Sequence, residues 1–271
     1  MMDILTQFIR EQNIQVSKTS PSVVNVSNSE EGFTLTKLFF KKLLDRKTVV
    51  FLSGGRTPKQ LYGEITKEEE LIVGAVGLVD ERYGPKMWEN SNEKMIADTG
   101  LLGYLEKKGL PFYPILETNS HSGKQRLYQN PDSGQARMTD LEQTAKDYDE
   151  TVRFLLNGFP KSIAVLGIGL DGHTAGIPVT ATSLHSESSR LEETKYVTYF
   201  TDFPGEQKER ITMTFLGLSM VDILFVLVFG KDKKTALRQM FMSGSEEEIP
   251  SRFFKRPDIA KKTLLITDQK V

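Results

Sequence analysis

Short runs of apolar and β-branched residues alternate along this chain with longer stretches in which apolar and charged positions interleave. Residues 48–53 (TVVFLS) read as a buried strand, and 57–67 after them as a helix opened by Pro58. Residues 72–80 predict a second strand, followed by a loop, a helix over 91–102 and a short strand over 111–115. Within 138–157, Leu141, Ala145, Tyr148, Val152 and Leu155 recur at three- and four-residue spacing, which predicts a helix with one apolar face. Strands are expected over 162–167, 196–201, 223–229 and 263–267, with a helix over 232–241. Upstream, 22–27 reads as a strand and 32–44 as a helix.

Strands alternating with helices predict an α/β fold of three layers, α/β/α, around a mainly parallel, Rossmann-like sheet. Ligands of such sheets sit beyond the carboxyl ends of the strands. Chemistry is therefore sought just after Leu52, Val79, Leu166 and Phe229. Segment 119–137 (NSHSGKQRLYQNPDSGQAR) breaks the rhythm with Gly, Ser and Asn and few apolar anchors, and reads as a polar surface insertion. With no internal repeat and no linker, residues 1–271 read as a single domain.

Composition narrows the function. The 271 residues carry 35 Lys and Arg against 36 Asp and Glu, a net charge of −1 that gives no electrostatic case for nucleic acid or an anionic membrane. The absence of cysteine removes thiol nucleophiles, disulfides and thiolate-bound metals together. The amino terminus, MMDILTQFIREQ, does not read as a secretory leader, and the longest apolar run is far too short to span a bilayer. A cytoplasmic protein is expected.

Four strand ends carry candidate chemistry. Ser53-Gly54-Gly55-Arg56-Thr57-Pro58 lets backbone N–H groups approach a ligand at a helix start, where the dipole favours phosphate. The same residues also read as an ordinary tight turn. The chain lacks a G-x-x-x-x-G-K-[ST] loop, which disfavours a nucleoside triphosphate. Asp80-Glu81-Arg82-Tyr83-Gly84 follows the second strand; Arg82 is either an anion clamp or half of a solvated ion pair. Gly167-Ile168-Gly169-Leu170-Asp171-Gly172-His173-Thr174 holds one of three histidines. Asp171 lies close enough to orient the His173 imidazole, the arrangement that makes a directed general base. The competing reading is a structural histidine in a turn. His121 and His185 lie in polar stretches and read as surface residues, and no histidine pair stands at metal-ligand spacing. Finally, Arg210-Ile211-Thr212-Met213-Thr214 and Gly230-Lys231-Asp232-Lys233-Lys234 gather cations that oppose a helix dipole unless they face an anion. Together these features point to a small phosphorylated substrate attacked with the help of a base.

The series SGGRTPKQLY, VDERYGP…SNEKM, LGIGLDGHTA and RITMTFLGLSMVDILFVLVFGKDKKTAL resembles the 6-phosphogluconolactonase family over about residues 30 to 245. The Asp-Gly-His signature is shared with glucosamine-6-phosphate deaminases. Those enzymes carry Asp-Glu-Tyr where this chain has Asp80-Glu81-Arg82, and an acidic residue soon after the histidine, whereas 174–186 contains none. The resemblance implies hydrolysis of 6-phosphogluconolactone in the pentose phosphate pathway, with no metal and no cofactor. His173 would be the base and Asp171 its orienter. Gly54, Gly55, Arg56, Thr57, Asp80, Arg82, Gly169, Arg210 and Lys233 would hold the substrate and its phosphate, with backbone N–H groups near Gly169 or a nearby cation meeting the oxyanion. The only partner implied is the small-molecule sugar phosphate, and a monomer is expected. Two departures stand out: Ala175-Gly176-Ile177-Pro178-Val179 replaces the family's Ala-Ser-Leu-Phe-Pro-Gly, and Arg56 replaces a common Ser. A deaminase or isomerase of amino-sugar phosphates, and a sugar-phosphate-binding regulator without turnover, are the alternatives.

Overall fold

The computed structural model describes residues 9–10, 14–17, 19–67, 71–116, 134–179 and 194–270, with the side chains of 134–179 described from 140 onward. Ten strands and eight α-helices follow in the order β1 Ser22–Asn25, α1 Ser29–Leu43, β2 Thr48–Leu52, α2 Arg56–Lys67, β3 Ala75–Leu78, β4 Asp80–Arg82, α3 Asn92–Asp98, α4 Leu101–Lys107, β5 Phe112–Tyr113 and α5 Gly134–Gly158 among the described residues. Then come β6 Lys161–Gly167, β7 Val197–Phe200, β8 Arg210–Met213, α6 Phe215–Met220, β9 Ile223–Val228, α7 Lys234–Phe241, α8 Pro257–Ala260 and β10 Thr263–Thr267.

Seven strands form one sheet in the order β1-β10-β9-β6-β2-β3-β5. Every pairing in it is parallel, and the helices complete a three-layer α/β/α architecture. Strands β2, β9 and β10 are buried along their whole length, as parallel strands covered on both faces must be. The expected helical face of α5 is the buried one: Leu141, Ala145, Tyr148, Val152 and Leu155 are at most 4% exposed. On α1, Phe39 and Phe40 meet Phe225 of β9 edge-on, at 5.5 Å each.

The sheet order reverses between β2 and β6. Strand β2 leads to β3 on one side, while β6 leads toward β9 on the other, so their carboxyl ends flank a topological switch point.

Three elements differ from the sequence-based expectation. The apolar run 72–80 is not one strand, because the chain changes partners at Val79. Its N–H donates to Leu52 O in the large sheet (2.9 Å), and its C=O accepts from Met213 N–H in a second, antiparallel sheet (2.8 Å). That sheet has the order β4-β8-β7, with Asp80 opposite Thr212 and Arg82 opposite Arg210. The helix expected over 91–102 is two helices, broken at Gly100, whose φ of 84° is left-handed. Of the polar segment 119–137, residues 119–133 lie outside the described residues and 134–137 open α5. His121 and His185 also lie outside them.

Strand β5 spans only two residues, which leaves Leu78 of β3 beyond its reach. The Tyr148 hydroxyl serves both backbone groups instead, accepting from Leu78 N–H at 2.6 Å and donating to Leu78 O at 2.7 Å. Tyr148→Phe removes both partners while keeping the ring. It should lower the unfolding free energy by about 1–3 kcal/mol in urea titration, and an unshifted midpoint would show that this hydroxyl does not hold β3.

Candidate active site

The loop after β6 closes on itself. Gly169 N–H donates to His173 O (2.8 Å), Gly172 N–H to Gly169 O (3.2 Å), and Thr174 Oγ1–H to Gly167 O (2.9 Å). Asp171 Oδ1 accepts the His173 backbone N–H at 3.1 Å and lies 2.6 Å from the ring Nδ1. A Cβ on residue 169 would stand 2.0 Å from that Nδ1, so only glycine leaves room for the imidazole in this position. Burial alone pushes the Asp171 carboxyl up, but the hydrogen bond and charge of the imidazole and the backbone N–H donors together hold it at about 2. An ionised carboxylate at Nδ1 draws the ring proton of neutral His173 to that nitrogen and leaves the Nε2 lone pair directed away from Asp171.

Gly169 does not play the part expected of it. Its amide N–H is engaged by His173 O and is not offered to a ligand. Its contribution is space.

The turn after β2 faces this loop across the switch point. Ser53 N–H bonds Val165 O of β6 (3.1 Å), and the buried Tyr62 hydroxyl donates to Ser53 O (2.8 Å). Gly54 and Gly55 precede α2, and Arg56 and Thr57 are its first two residues. A Cβ at Gly54 would collide with Asn92 Oδ1 at 2.0 Å. The Asn92 amide in turn donates to Asp80 O (2.8 Å) and Asp80 Oδ2 (3.1 Å), which joins the glycine turn to β4. Arg56 pairs with Asp232 at 2.7 Å, both largely exposed. Lys233, in the turn after β9, donates to Ile168 O at 2.6 Å. Its ammonium is pushed below the usual lysine range, first by burial and then by Arg56, against the pull of Asp232 and Asp171. The Gly230 N–H that begins this turn is held by Asp268, at 3.0 and 3.2 Å.

The second sheet supplies the remaining cations. Arg82 and Arg210 are direct cross-strand partners, an arrangement that is unfavourable for like charges unless something offsets it. Arg82 Nη1 donates to Asn90 O (2.8 Å). Arg210 stacks over the Phe203 ring at 4.4 Å, and its buried Nε has no hydrogen-bond partner among the described residues. Burial pushes this guanidinium down to about 10, with Arg82 adding to the effect while Asp80 and Glu81 oppose it. Glu81, fully buried, accepts the backbone N–H groups of Arg82 (2.7 Å), Asn92 (2.6 Å) and Glu93 (2.8 Å). Desolvation still lifts its carboxyl to about 7, aided by Asp80 and opposed by those three donors.

The structure thus gathers residues from four strand ends around the switch point. Asn92, Glu81 and Phe203 were missed from the sequence. Asn92 lies in the SNEKM run and Glu81 beside two selected residues, but nothing local marks Phe203. An open cleft of about 380 Å³, lined by Tyr83, Gly84, Trp88, Thr201, Glu206 and Lys208 among others, touches the end of the Asp80–Gly84 run but contains none of the residues expected to act on or hold the substrate. Among the described residues, no three His, Asp or Glu side chains converge as a metal site, and no helix is long and apolar enough to cross a membrane.

Comparison with known proteins bears on the family and the fold. Residues 37–264 match the family described as glucosamine-6-phosphate isomerases/6-phosphogluconolactonase. A 6-phosphogluconolactonase of Rhizobium meliloti is 30% identical over 207 residues, 76% of this chain and 78% of the relative. One from Helicobacter pylori is 27% identical over 222 residues, 79% of this chain and 82% of the relative. The crystal structure of 6-phosphogluconolactonase from Leishmania guyanensis superposes with a TM-score of 0.67 at 24% identity, covering 91% of this chain and 96% of that one. That of Plasmodium vivax gives 0.68 at 16% identity, over 100% and 96% of the two chains.

The Asp171 carboxyl, held at about 2 against an ordinary 3.8, stabilises the fold where the unfolded chain is ionised; that contribution is lost as pH falls through this interval. The stability difference between wild type and Asp171→Asn should therefore be present near pH 5 and close toward pH 2 in urea titrations at stepped pH. A difference that stays constant across this range would mean that the carboxylate is not held by the imidazole.

Proposed function

Because the chain belongs to the family of glucosamine-6-phosphate isomerases and 6-phosphogluconolactonases, we propose that it hydrolyses 6-phosphogluconolactone to 6-phosphogluconate, as a single domain over 1–271. The observation that carries this reading is the Asp171–His173 pair at 2.6 Å after β6, with the His173 ring against the same Phe203 ring that Arg210 of the Arg82–Arg210 cross-strand pair stacks on. A base and a concentrated positive field are what a phosphorylated ester substrate requires. Arg82 in the Asp80-Glu81-Arg82 run, where deaminases carry tyrosine, favours the lactonase over the amino-sugar deaminase.

His173 Nε2 takes a proton from water as the water oxygen adds to the lactone carbonyl carbon. The resulting oxyanion collapses, the bond from the acyl carbon to the ring oxygen breaks, and the imidazolium returns the proton to that oxygen. One water is consumed, and the products are a carboxylic acid, which ionises, and a hydroxyl. Asp171 fixes the tautomer and stabilises the imidazolium while it carries the proton. With the Gly169 N–H engaged by His173 O, the counter-charge for the oxyanion comes from the cations of the site. Gly54, Gly55, Arg56 and Thr57 meet the phosphate together with Arg82, Arg210 and Lys233, and Asp80 holds this group in register through Asn92. The reaction places the protein in sugar-phosphate metabolism of the pentose phosphate pathway. A monomeric cytoplasmic enzyme whose only partner is its small substrate completes the reading.

The decisive assay measures lactone hydrolysis above the spontaneous rate beside ammonia release from glucosamine 6-phosphate. Lactone turnover alone is the expected result; ammonia release, or neither activity, would overturn the proposal. His173→Asn should lower enzyme-dependent turnover by about 10²–10⁴-fold while phosphate-ligand affinity stays close to wild type. Retention of most of that rate would return the histidine to a structural role.

Hydrogen bonds to charged groups contribute about 1.5–3 kcal/mol each, so losing one weakens binding about tenfold to a hundredfold. Arg210→Met should raise KM for the phosphorylated lactone by that factor and leave unphosphorylated gluconolactone, already a much poorer substrate, nearly unchanged. Equal kcat/KM for the two lactones in the wild-type protein would remove the phosphate from the recognition scheme.

A further inference from the structure

The loop between β7 and β8 carries a residue that touches both halves of the proposed chemistry. Phe203 is only 6% exposed, although its neighbours Asp202 and Pro204 are exposed. Its N–H donates to Lys208 O (3.0 Å), which closes the loop and returns the chain to β8 at Arg210. The Arg210 guanidinium lies over the Phe203 ring at 4.4 Å. The His173 imidazole stands against the same ring at 5.2 Å, with the two planes at 81°.

Each contact answers a specific need. Arg210 stands opposite another arginine and has a buried Nε without a partner among the described residues, so hydrogen bonding at that nitrogen does not fix its head. The electron-rich face of an aromatic ring attracts a guanidinium and holds it parallel. His173 is anchored through Nδ1 by Asp171, and a single anchor leaves the ring able to swing about that bond. A perpendicular aromatic wall removes the swing. One rigid ring with two χ angles therefore sets the separation between the base and a phosphate-facing cation.

We propose that Phe203 is a positioning residue that fixes Arg210 and His173 relative to one another, so that seating the phosphate also sets the distance from the lactone carbonyl to the base. This inference rests on the lactonase reading given above. It assigns Phe203 no contact with the reacting atoms.

The test compares Phe203→Leu, which keeps bulk but removes the ring, with Phe203→Tyr, which keeps the ring. Steady-state kinetics on both lactones and calorimetric binding of inorganic phosphate supply the readouts, with thermal melting as the check on folding. Phe203→Leu should raise KM for the phosphorylated lactone about tenfold through Arg210 and lower kcat about tenfold through His173. On unphosphorylated gluconolactone it should lower kcat alone. It should weaken phosphate binding about tenfold, and Phe203→Tyr should hold every value within about threefold of wild type. A folded Phe203→Leu protein with unchanged KM and phosphate affinity, or with unchanged kcat, overturns the proposal, because the ring then serves at most one of the two groups. Equal loss in Phe203→Tyr overturns it as well. If Phe203→Leu does not fold, Phe203→Met takes its place with the same expectations. A wild-type protein that binds phosphate but hydrolyses no lactone defeats the lactonase reading instead, while the phosphate arm still reports whether Phe203 holds Arg210.

Discussion

A single buried residue, Val79, belongs to two sheets at once. Its N–H completes the parallel sheet on Leu52, and its C=O receives Met213 from the antiparallel one. A backbone hydrogen bond contributes about 0.5–1.5 kcal/mol net, but a buried one left unmade costs more, so the chain must turn from one sheet into the other at this residue. The consequence is geometric. Asp80, Glu81 and Arg82 leave the large sheet beside the Gly54 turn, and β8 is drawn in behind them with Arg210 at its start. The two arginines thus reach the switch point on strands locked to the core by main-chain bonds.

That placement has an electrostatic cost, which the neighbouring residues offset. Glu81 is buried, with three backbone N–H groups directed at its carboxyl oxygens, two of them from the first turn of α3. A helix N-terminus stabilises negative charge, so this carboxyl is the anchor through which α3 holds β4 in place. Asn92 performs the corresponding task on the other side, binding Asp80 while it packs against Gly54. Like charges kept opposite one another across a strand pair are a stored preference for an anion, and burial of Arg210 sharpens it.

The parts legible in the sequence are those decided locally. Strand 263–267 and the five-residue apolar face of α5 follow from periodicity alone, because burial on one or both faces imposes it residue by residue. The Asp171–His173 pair was legible for the same reason: its members stand two positions apart with Gly172 between them. The break at Val79 was not, since Val76 to Val79 reads as an uninterrupted strand and the event that ends it is a bond from Met213, remote in the chain. The helix over 91–102 looked continuous because Ile96, Leu101 and Leu105 keep an apolar face across Gly100. Gly169 was misread because a glycine near a ligand site suggests an open amide. Only the folded loop shows that amide facing His173 O, with the missing side chain making room for the imidazole. Phe203 and Asn92 act purely through tertiary contacts and carry no local signature.

The same tertiary view accounts for the unusual segment after His173. The stretch is tied down from both ends. The Gly176 N–H donates to Thr212 Oγ1 (3.0 Å), the cross-strand partner of Asp80, and Ile177 is buried. On the opposite side, the Ser251 N–H donates to Gly172 O (3.0 Å) from the turn before α8. The histidine loop is therefore clamped between β8 and the segment that precedes α8. Residues 174–179 contain no aromatic side chain, and the ring against the imidazole comes from Phe203 instead. A wall contributed by the β7–β8 loop is covalently continuous with Arg210, whereas one contributed by the histidine loop would not be. That connectivity ties the placement of His173 to the placement of Arg210, and joins the small sheet to the histidine loop.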